Sequence, residues 1–388
     1  MHHMSDDYIC TQFGEDNSAY LNAIVPPIYM TSLHTFNSID EYINNPISPG
    51  KFIYGRVSNP TVEIVESKIN ALEQGGGARL FASGMAAISS AILSAVSAGG
   101  HMICVKNVYG PTKNFIDNYL KKFNITCTYV KGNEIEEFEQ ALQPNTQLIY
   151  LESPSSIVMS VQDLGAVAKL AKSRGIITAV DNTFSAGVYQ KPLTLGIDMS
   201  VHTLSKYMGG HGDLIGGVLI CADSERMKKI SSQERELLGG IIGPMEGWLV
   251  LRGLRTLMLR LRHVVDTSLK IAEFLESHPG VDKVYYTGLE SHPQHELIKR
   301  QMSASTGLMS FTLKCSYEDT KRFVDNLKMF RVGVSWGGFE NLANMPYASY
   351  SEEQLEFAGA ENKLVRICIG MDTAEEMIED LKQAIEAV

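Results

Sequence analysis

DMSVHTLSKYMGGHGDLIGG, residues 198–217, opens on a short apolar alternation, places two hydroxyls just before a lysine and runs into glycines. A lysine such as Lys206 is ordinarily a surface charge, since lysines are seldom buried unless paired. Its flanks point to another use. Thr203 and Ser205 stand two apart, so on an extended segment their hydroxyls face the same side. Gly209, Gly210, Gly212, Gly216 and Gly217 lack a Cβ and let other groups come close to the backbone. The combination suits an amine that holds a phosphorylated aldehyde covalently, with the hydroxyls on its phosphate.

Upstream lie the short apolar runs HMICV (101–105), ITCTYV (125–130), QLIYLE (147–152) and IITAVD (176–181). Helical patterns around 112–122, 134–142 and 163–174 separate them. Such alternation predicts an α/β fold with a mainly parallel sheet and helices on both faces. Ligands of these sheets bind at the carboxyl ends of strands. Glu152, Asp181 and Lys206 all fall at or just after such ends. Further upstream, ARLFASGMAAISSAILSAV (78–96) reads as strand, glycine turn and helix. Gly84 opens that helix, whose free N–H groups and dipole attract an anion, as those of any helix start do.

Residues 1–59 read as an irregular arm broken by Pro26, Pro27, Pro46 and Pro49. An arm of that length needs something to pack on, a neighbouring subunit being one option. At its end, Asn59 followed by Pro60 signals a helix start. Val62, Val65, Ile69 and Leu72 continue at helical spacing, and Gly75–Gly77 are expected to stop the helix. We expect a large domain over 60–250, then a connecting helix and a smaller C-terminal α/β domain over 251–388. The pattern from 246 to 277 predicts one long helix, with Arg252, Arg255, Arg260 and Arg262 solvated or ion-paired. After Pro279, strands are expected near 281–286, 307–313 and 364–369, and helices near 317–328 and 373–387.

Composition narrows the function. The 388 residues are 44% hydrophobic and 20% charged, with 34 basic and 44 acidic side chains, a net charge of −10. That balance argues against a nucleic-acid surface, which needs clustered Lys and Arg. No run of about 18 apolar residues is available to span a membrane, and the start MHHMSDDY lacks the apolar core of a signal peptide. The six cysteines are scattered without a C-x-x-C pair. They read as inert thiols in a reducing cytoplasm, and their spacing does not make a zinc site. No metal is expected, and His2 and His3 are left out of that argument.

Together these pieces resemble the cysteine/methionine-metabolism family of pyridoxal 5'-phosphate (PLP) enzymes, the trans-sulfuration group. The matching motifs are YGRVSNPT (54–61), SGMAAI (83–88), VYGPT (108–112), DNTFSAG (181–187), SKYMGGH (205–211), VSWGGFENL (334–342) and VRICIGMD (365–372). The resemblance implies the PLP-dependent transferase fold type I, aspartate-aminotransferase-like. It further implies a cytoplasmic enzyme of methionine biosynthesis acting on an amino acid, a homo-oligomer that is at least a dimer and expected to be a tetramer. By the same resemblance Lys206 carries the cofactor and later moves protons. Asp181 would face the pyridine nitrogen, and Tyr109 would stack on the ring and protonate a leaving group. Gly84, Met85, Thr203 and Ser205 would hold the phosphate, with Tyr54 and Arg56 reaching it from the adjacent subunit. Arg366 would grip the substrate carboxylate, with Ser335 and Trp336 beside it.

Within the family, three tracts lean toward bacterial cystathionine β-lyase. In ESPSSIVMSVQDL (152–164), Ser156 and Ile157 stand where many γ enzymes carry Asn-Pro. Trp336 stands where γ enzymes usually carry a smaller aliphatic residue. RGLRTLMLRLRH (252–263), SLKIAEFLESHP (268–279) and STGLMSF (305–311) also look similar to that lyase. Pro111 departs from methionine γ-lyase, whose pattern has a reactive cysteine there. The expectation is a carbon–sulfur lyase cleaving L-cystathionine to homocysteine, pyruvate and ammonia. The alternative is a γ-replacing or γ-eliminating enzyme: cystathionine γ-synthase, O-acetylhomoserine sulfhydrylase, or cystathionine or methionine γ-lyase. A PLP-binding protein without turnover is disfavoured by the complete residue set, and a nicotinamide dehydrogenase by the missing G-x-G-x-x-G turn. Glu152 and Tyr207 are left without a role.

Overall fold

The larger of two sheets comprises β1 (Gly77–Phe81), β2 (His101–Val105), β3 (Thr126–Val130), β4 (Thr146–Glu152), β5 (Ile177–Asp181), β6 (Met199–Thr203) and β7 (Gly217–Cys221). Their order is β1-β7-β6-β5-β4-β2-β3. β7 runs antiparallel to β1 and β6, and the remaining pairs are parallel. The computed structural model describes residues 4–44 and 50–388; Pro46, Pro49, His2 and His3 lie outside the described residues.

The strands form where they were expected, because runs such as HMICV are buried along their whole length. β7 was not anticipated. Its first residue belongs to the glycine run, and glycine weakens the reading of a strand. The glycine is needed there: a Cβ on Gly217 would lie 2.2 Å from the carbonyl oxygen of Ser83. The rest of β7 alternates between two cores. Leu219 and Cys221 join Ile88, Ile103 and Val201 on one side, while Val218 and Ile220 join Val65, Leu80 and Leu251 on the other.

The smaller sheet comprises β8 (Val281–Tyr285), β9 (Leu308–Leu313), β10 (Arg331–Val332), β11 (Leu342–Asn344) and β12 (Val365–Cys368), in the order β10-β11-β12-β9-β8. The two short strands β10 and β11 escaped the sequence pattern, being too brief to show a period. β12 lies between β9 and β11, which places Arg366 opposite Ser310 and Asn344.

Three helical expectations need correction. The helix Pro60–Glu73 starts as expected, with the Asn59 side chain accepting from the Thr61 N–H at 2.9 Å. It stops one residue before the glycines, at Gln74, which adopts a left-handed φ of +56°. The stretch 246–277 is not one helix but two, Pro244–Leu254 and Leu257–Ser277. At the junction the Gly253 carbonyl accepts from the Thr256 N–H at 3.2 Å and from Arg260 Nη2 at 2.8 Å, so the i→i+4 ladder is interrupted. Arg255 and Arg262 are ion-paired as expected, with Glu15 and Asp7. Arg260 is instead buried and donates to backbone carbonyls, including that of Tyr207 at 2.7 Å. Its guanidinium fills the space a Cβ on Gly210 would take, only 2.0 Å away.

Nor is the arm irregular throughout. A helix at Asp6–Thr11 buries Ile9 and Cys10. Lys191 pairs with Asp6 at 3.1 Å and the buried Lys68 with Glu15 at 3.1 Å. The start of the arm therefore rests on its own chain and needs no neighbour. Beyond it, Leu21, Ile24, Met30 and Ile39 are exposed. Among the described residues, no helix is long and apolar enough to cross a membrane.

Candidate active site

Glu152 ends β4 and Asp181 ends β5, and the two are register partners on adjacent strands. Thr203 ends β6. A cavity of about 230 Å³ opens over these carboxyl ends. Gly84, Met85, Tyr109, Asp181, Thr203, Ser205, Lys206 and Trp336 all line it. The chain leaves β6 after Thr203 by a turn, in which the Gly209 N–H bonds to the Leu204 carbonyl at 2.9 Å. Ser205 is thus not on an extended segment with Thr203, as the spacing had implied; the turn nevertheless brings both to the cavity wall.

Lys206 is largely withdrawn from solvent. Its Nζ donates to Ser335 Oγ at 2.8 Å and lies 5.2 Å from the Trp336 ring centroid. Burial, with the nearby charge of Arg366 second, brings its pKa down to about 8. An appreciable fraction is then a neutral amine near neutral pH, the form that attacks a carbonyl.

Two buried carboxylates face each other beneath it. Asp181 Oδ1 accepts from the Thr183 hydroxyl at 2.5 Å and from its N–H at 3.0 Å. Burial raises the Asp181 pKa, while those bonds and the charges of His202 and Lys206 oppose the rise. Glu152 is pushed up to about 7, by burial first and by Asp181 second. Its oxygens accept from the backbone N–H groups of Tyr109 (2.6 Å) and Ser156 (2.9 Å). Neither Glu152 nor Thr183 had been given a role from the sequence; their positions at and just past strand ends were the available signal.

On the other side, Ser83 caps the helix Gly84–Ala95 by accepting from the Ala86 N–H at 3.1 Å. The amides of Gly84 and Met85 belong to the first turn, where N–H groups have no partner within the helix. A Cβ on Gly84 would lie 2.1 Å from Thr203 Oγ1, so only glycine lets the helix start meet that hydroxyl.

Arg366 is buried and makes no ion pair among the described residues. It donates to the carbonyls of Val334 at 2.8 Å and Ser156 at 3.3 Å, and burial lowers its pKa. Tyr54 and Arg56 stand apart from this cavity. Arg56 pairs with Glu236 at 3.1 Å over the Tyr54 ring, and Tyr54 is 44% exposed.

The model of the Cys/Met metabolism PLP-dependent enzyme family matches residues 8–386. The chain belongs to this family. It is 37% identical to an L-methionine gamma-lyase of Fusobacterium nucleatum subsp. polymorphum, over 93% of each chain. It is equally 37% identical to a cystathionine beta-lyase of Lactococcus lactis subsp. cremoris, over 94% of each. The crystal structure of metB from Corynebacterium glutamicum superposes with a TM-score of 0.92 at 32% identity, covering 99% of this chain and 98% of that one. The fold is the α/β fold type I of PLP enzymes, with a seven-stranded mixed sheet and a second, smaller sheet.

The residues present fit the cofactor of this PLP-dependent family. The Gly84 cradle, closed to any Cβ, brings two amides and two hydroxyls to one cavity wall, a donor set that suits an anion such as the cofactor's phosphate. Opposite, the amine of Lys206 and the buried carboxylate of Asp181 line the same space. Gly84→Ala should weaken PLP binding tenfold or more, since overpacking costs about 1–3 kcal/mol and 1.4 kcal/mol is a factor of ten. A PLP titration followed by absorbance measures this; an unchanged dissociation constant would place the phosphate elsewhere.

Proposed function

We propose that this family member is a carbon–sulfur lyase that removes a sulfur substituent from Cβ of an L-amino acid. L-cystathionine is the first candidate, giving homocysteine, pyruvate and ammonia. The observation that carries this reading is Trp336. Its indole, 7% exposed and packed against the Tyr207 ring, forms a wall of the cavity beside Lys206. A bulky wall there restricts the room a substrate tail has near the amine and favours chemistry at the nearer carbon.

PLP, when bound, supplies an electron sink for negative charge at the substrate Cα. The chain's own residues do the rest. Lys206, held by Ser335, is placed to accept and return a proton at Nζ. Asp181 lines the same cavity as Lys206, and its carboxylate would stabilise a protonated ring nitrogen there. The Tyr109 pKa is raised by burial and by the charges of Asp181 and Glu152. Its hydroxyl therefore keeps its proton at neutral pH and can deliver it to a departing thiolate. Arg366 offers two donors to a carboxylate, a geometry a guanidinium fork provides. Gly84, Met85, Thr203 and Ser205 would hold the phosphate.

In this reading Tyr54 and Arg56 complete the phosphate site of a second copy. The functional unit is then at least a dimer, and we expect a tetramer. The six unpaired cysteines accord with a cytoplasmic setting.

A γ-specific reading draws on the similarity to the Fusobacterium L-methionine gamma-lyase, which equals that to the Lactococcus cystathionine beta-lyase. Product analysis with L-cystathionine, L-methionine and O-acetylhomoserine in parallel separates the two. We expect homocysteine and pyruvate from cystathionine. Cysteine and 2-oxobutyrate as dominant products, or thioether formation from the ester, would overturn β-elimination.

A further inference from the structure

Glu152 is a buried carboxylate in the cavity wall whose oxygens are taken up by two backbone amides, with the Ser156 side chain also favouring its charged form. One oxygen takes the Tyr109 N–H at 2.6 Å and the other takes the Ser156 N–H at 2.9 Å. The two amides come from different places. Tyr109 lies on the loop after β2 and precedes the short helix Gly110–Asn114. Ser156 lies in the turn after β4, and its carbonyl accepts from Arg366 Nη1 at 3.3 Å. A single side chain thus ties the loop bearing one proposed working group to the turn that supports another. Among the described residues no other side chain bonds the Tyr109 amide.

We propose that Glu152 is a positioning residue: its ionised carboxylate clamps the Tyr109 loop and the Ser156 turn together, and turnover requires that ionised form. This rests on the reading of Tyr109 and Arg366 given above. The chemistry of the clamp is directional. A carboxylate is an acceptor at both oxygens, so it can meet two N–H donors at once. Protonation turns one oxygen into a hydroxyl whose hydrogen points toward a donor, and one arm of the clamp is weakened. The surroundings bring that proton within reach of ordinary pH. Asp181 faces Glu152 from β5, Tyr150 and Cys104 flank it from β4 and β2, and Tyr109, Tyr347 and Arg366 approach from the loops and β12. Burial and the Asp181 charge lift the carboxyl to about 7, so the clamp is complete above that pH and fails below it.

The test is the pH profile of kcat/KM for the PLP-loaded enzyme and its Glu152→Gln and Glu152→Asp variants, on whichever sulfur amino acid the product analysis shows to be turned over. The wild type should lose activity on an acid limb near pH 7. Glu152→Gln keeps the volume but presents an amide NH₂ to one of the two N–H groups. Its kcat/KM should drop about tenfold or more at pH 8, the loss of one charge-assisted bond, and the acid limb should disappear. Glu152→Asp keeps a carboxylate and should keep an acid limb, displaced from the wild-type position because the shorter side chain meets different surroundings, with partial activity. A Glu152→Gln profile with the wild-type limb and rate would overturn the proposal. If Glu152→Gln does not fold, the Asp variant decides: a limb that does not move with the altered carboxylate refutes the assignment. Product identity is read separately, so a γ-specific outcome would leave this result standing, and the converse holds too.

Discussion

Lys206→Ala should bind PLP without the visible absorption that a covalent link to the amine produces, and should lose at least three powers of ten in turnover. That is about 4 kcal/mol of activation free energy. The argument begins with where the amine lies. It is enclosed, held by one hydroxyl at 2.8 Å and without a carboxylate at ion-pair distance among the described residues. Such a lysine contributes little to stability, so its removal should leave the melting temperature within a few degrees while activity collapses. The decisive pair of measurements is the absorption spectrum of the reconstituted variant and its rate with and without added methylamine. Partial rescue by the amine is expected. A variant that turns over near the wild-type rate without any added amine would show that the covalent and proton-moving roles belong elsewhere.

Much of this site was legible because strand ends announce themselves. IITAVD and QLIYLE each end an apolar run on a carboxylate, and an acidic residue at that point is costly unless it has work there. The fold was legible for the same reason: β2, β4 and β5 are buried on both faces and read as unbroken apolar runs. What was missed lay where local pattern and tertiary demand part. β7 was hidden by a glycine that exists to admit the Ser83 carbonyl, a contact 134 positions away in the chain. The break at Arg255–Thr256 was hidden because its cause, the buried guanidinium of Arg260, looks in sequence like one more solvated arginine. Glu152 was seen but could not be given a role, since its partners include two backbone amides and amides leave no signature in a sequence. Tyr54 and Arg56 show the opposite case. Their motif is plain, yet in a single chain they stand outside the cavity, with Arg56 engaged by Glu236.

Asp181→Asn tests the floor of the site with the least structural disturbance. Asparagine keeps a carbonyl oxygen that can accept both bonds from Thr183, so the side chain should stay in place. Only the negative charge is lost. A ring nitrogen facing a neutral amide is no longer held protonated, and the electron sink weakens in the transition state more than in the bound substrate. We expect kcat to fall by roughly two to four powers of ten, about 3–5 kcal/mol, with a smaller change in PLP affinity. The same substitution bears on Glu152. The Asp181 charge is the second cause of the raised Glu152 pKa after burial. Removing it should therefore move the acid limb of kcat/KM to lower pH, because the clamp then stays ionised further into the acid range. Steady-state profiles of the slow variant, taken over an extended pH range, read both effects at once. Wild-type kcat would remove Asp181 from behind the ring. A lowered kcat with an unmoved limb would keep Asp181 there and assign the limb to a group other than its neighbour across β4 and β5.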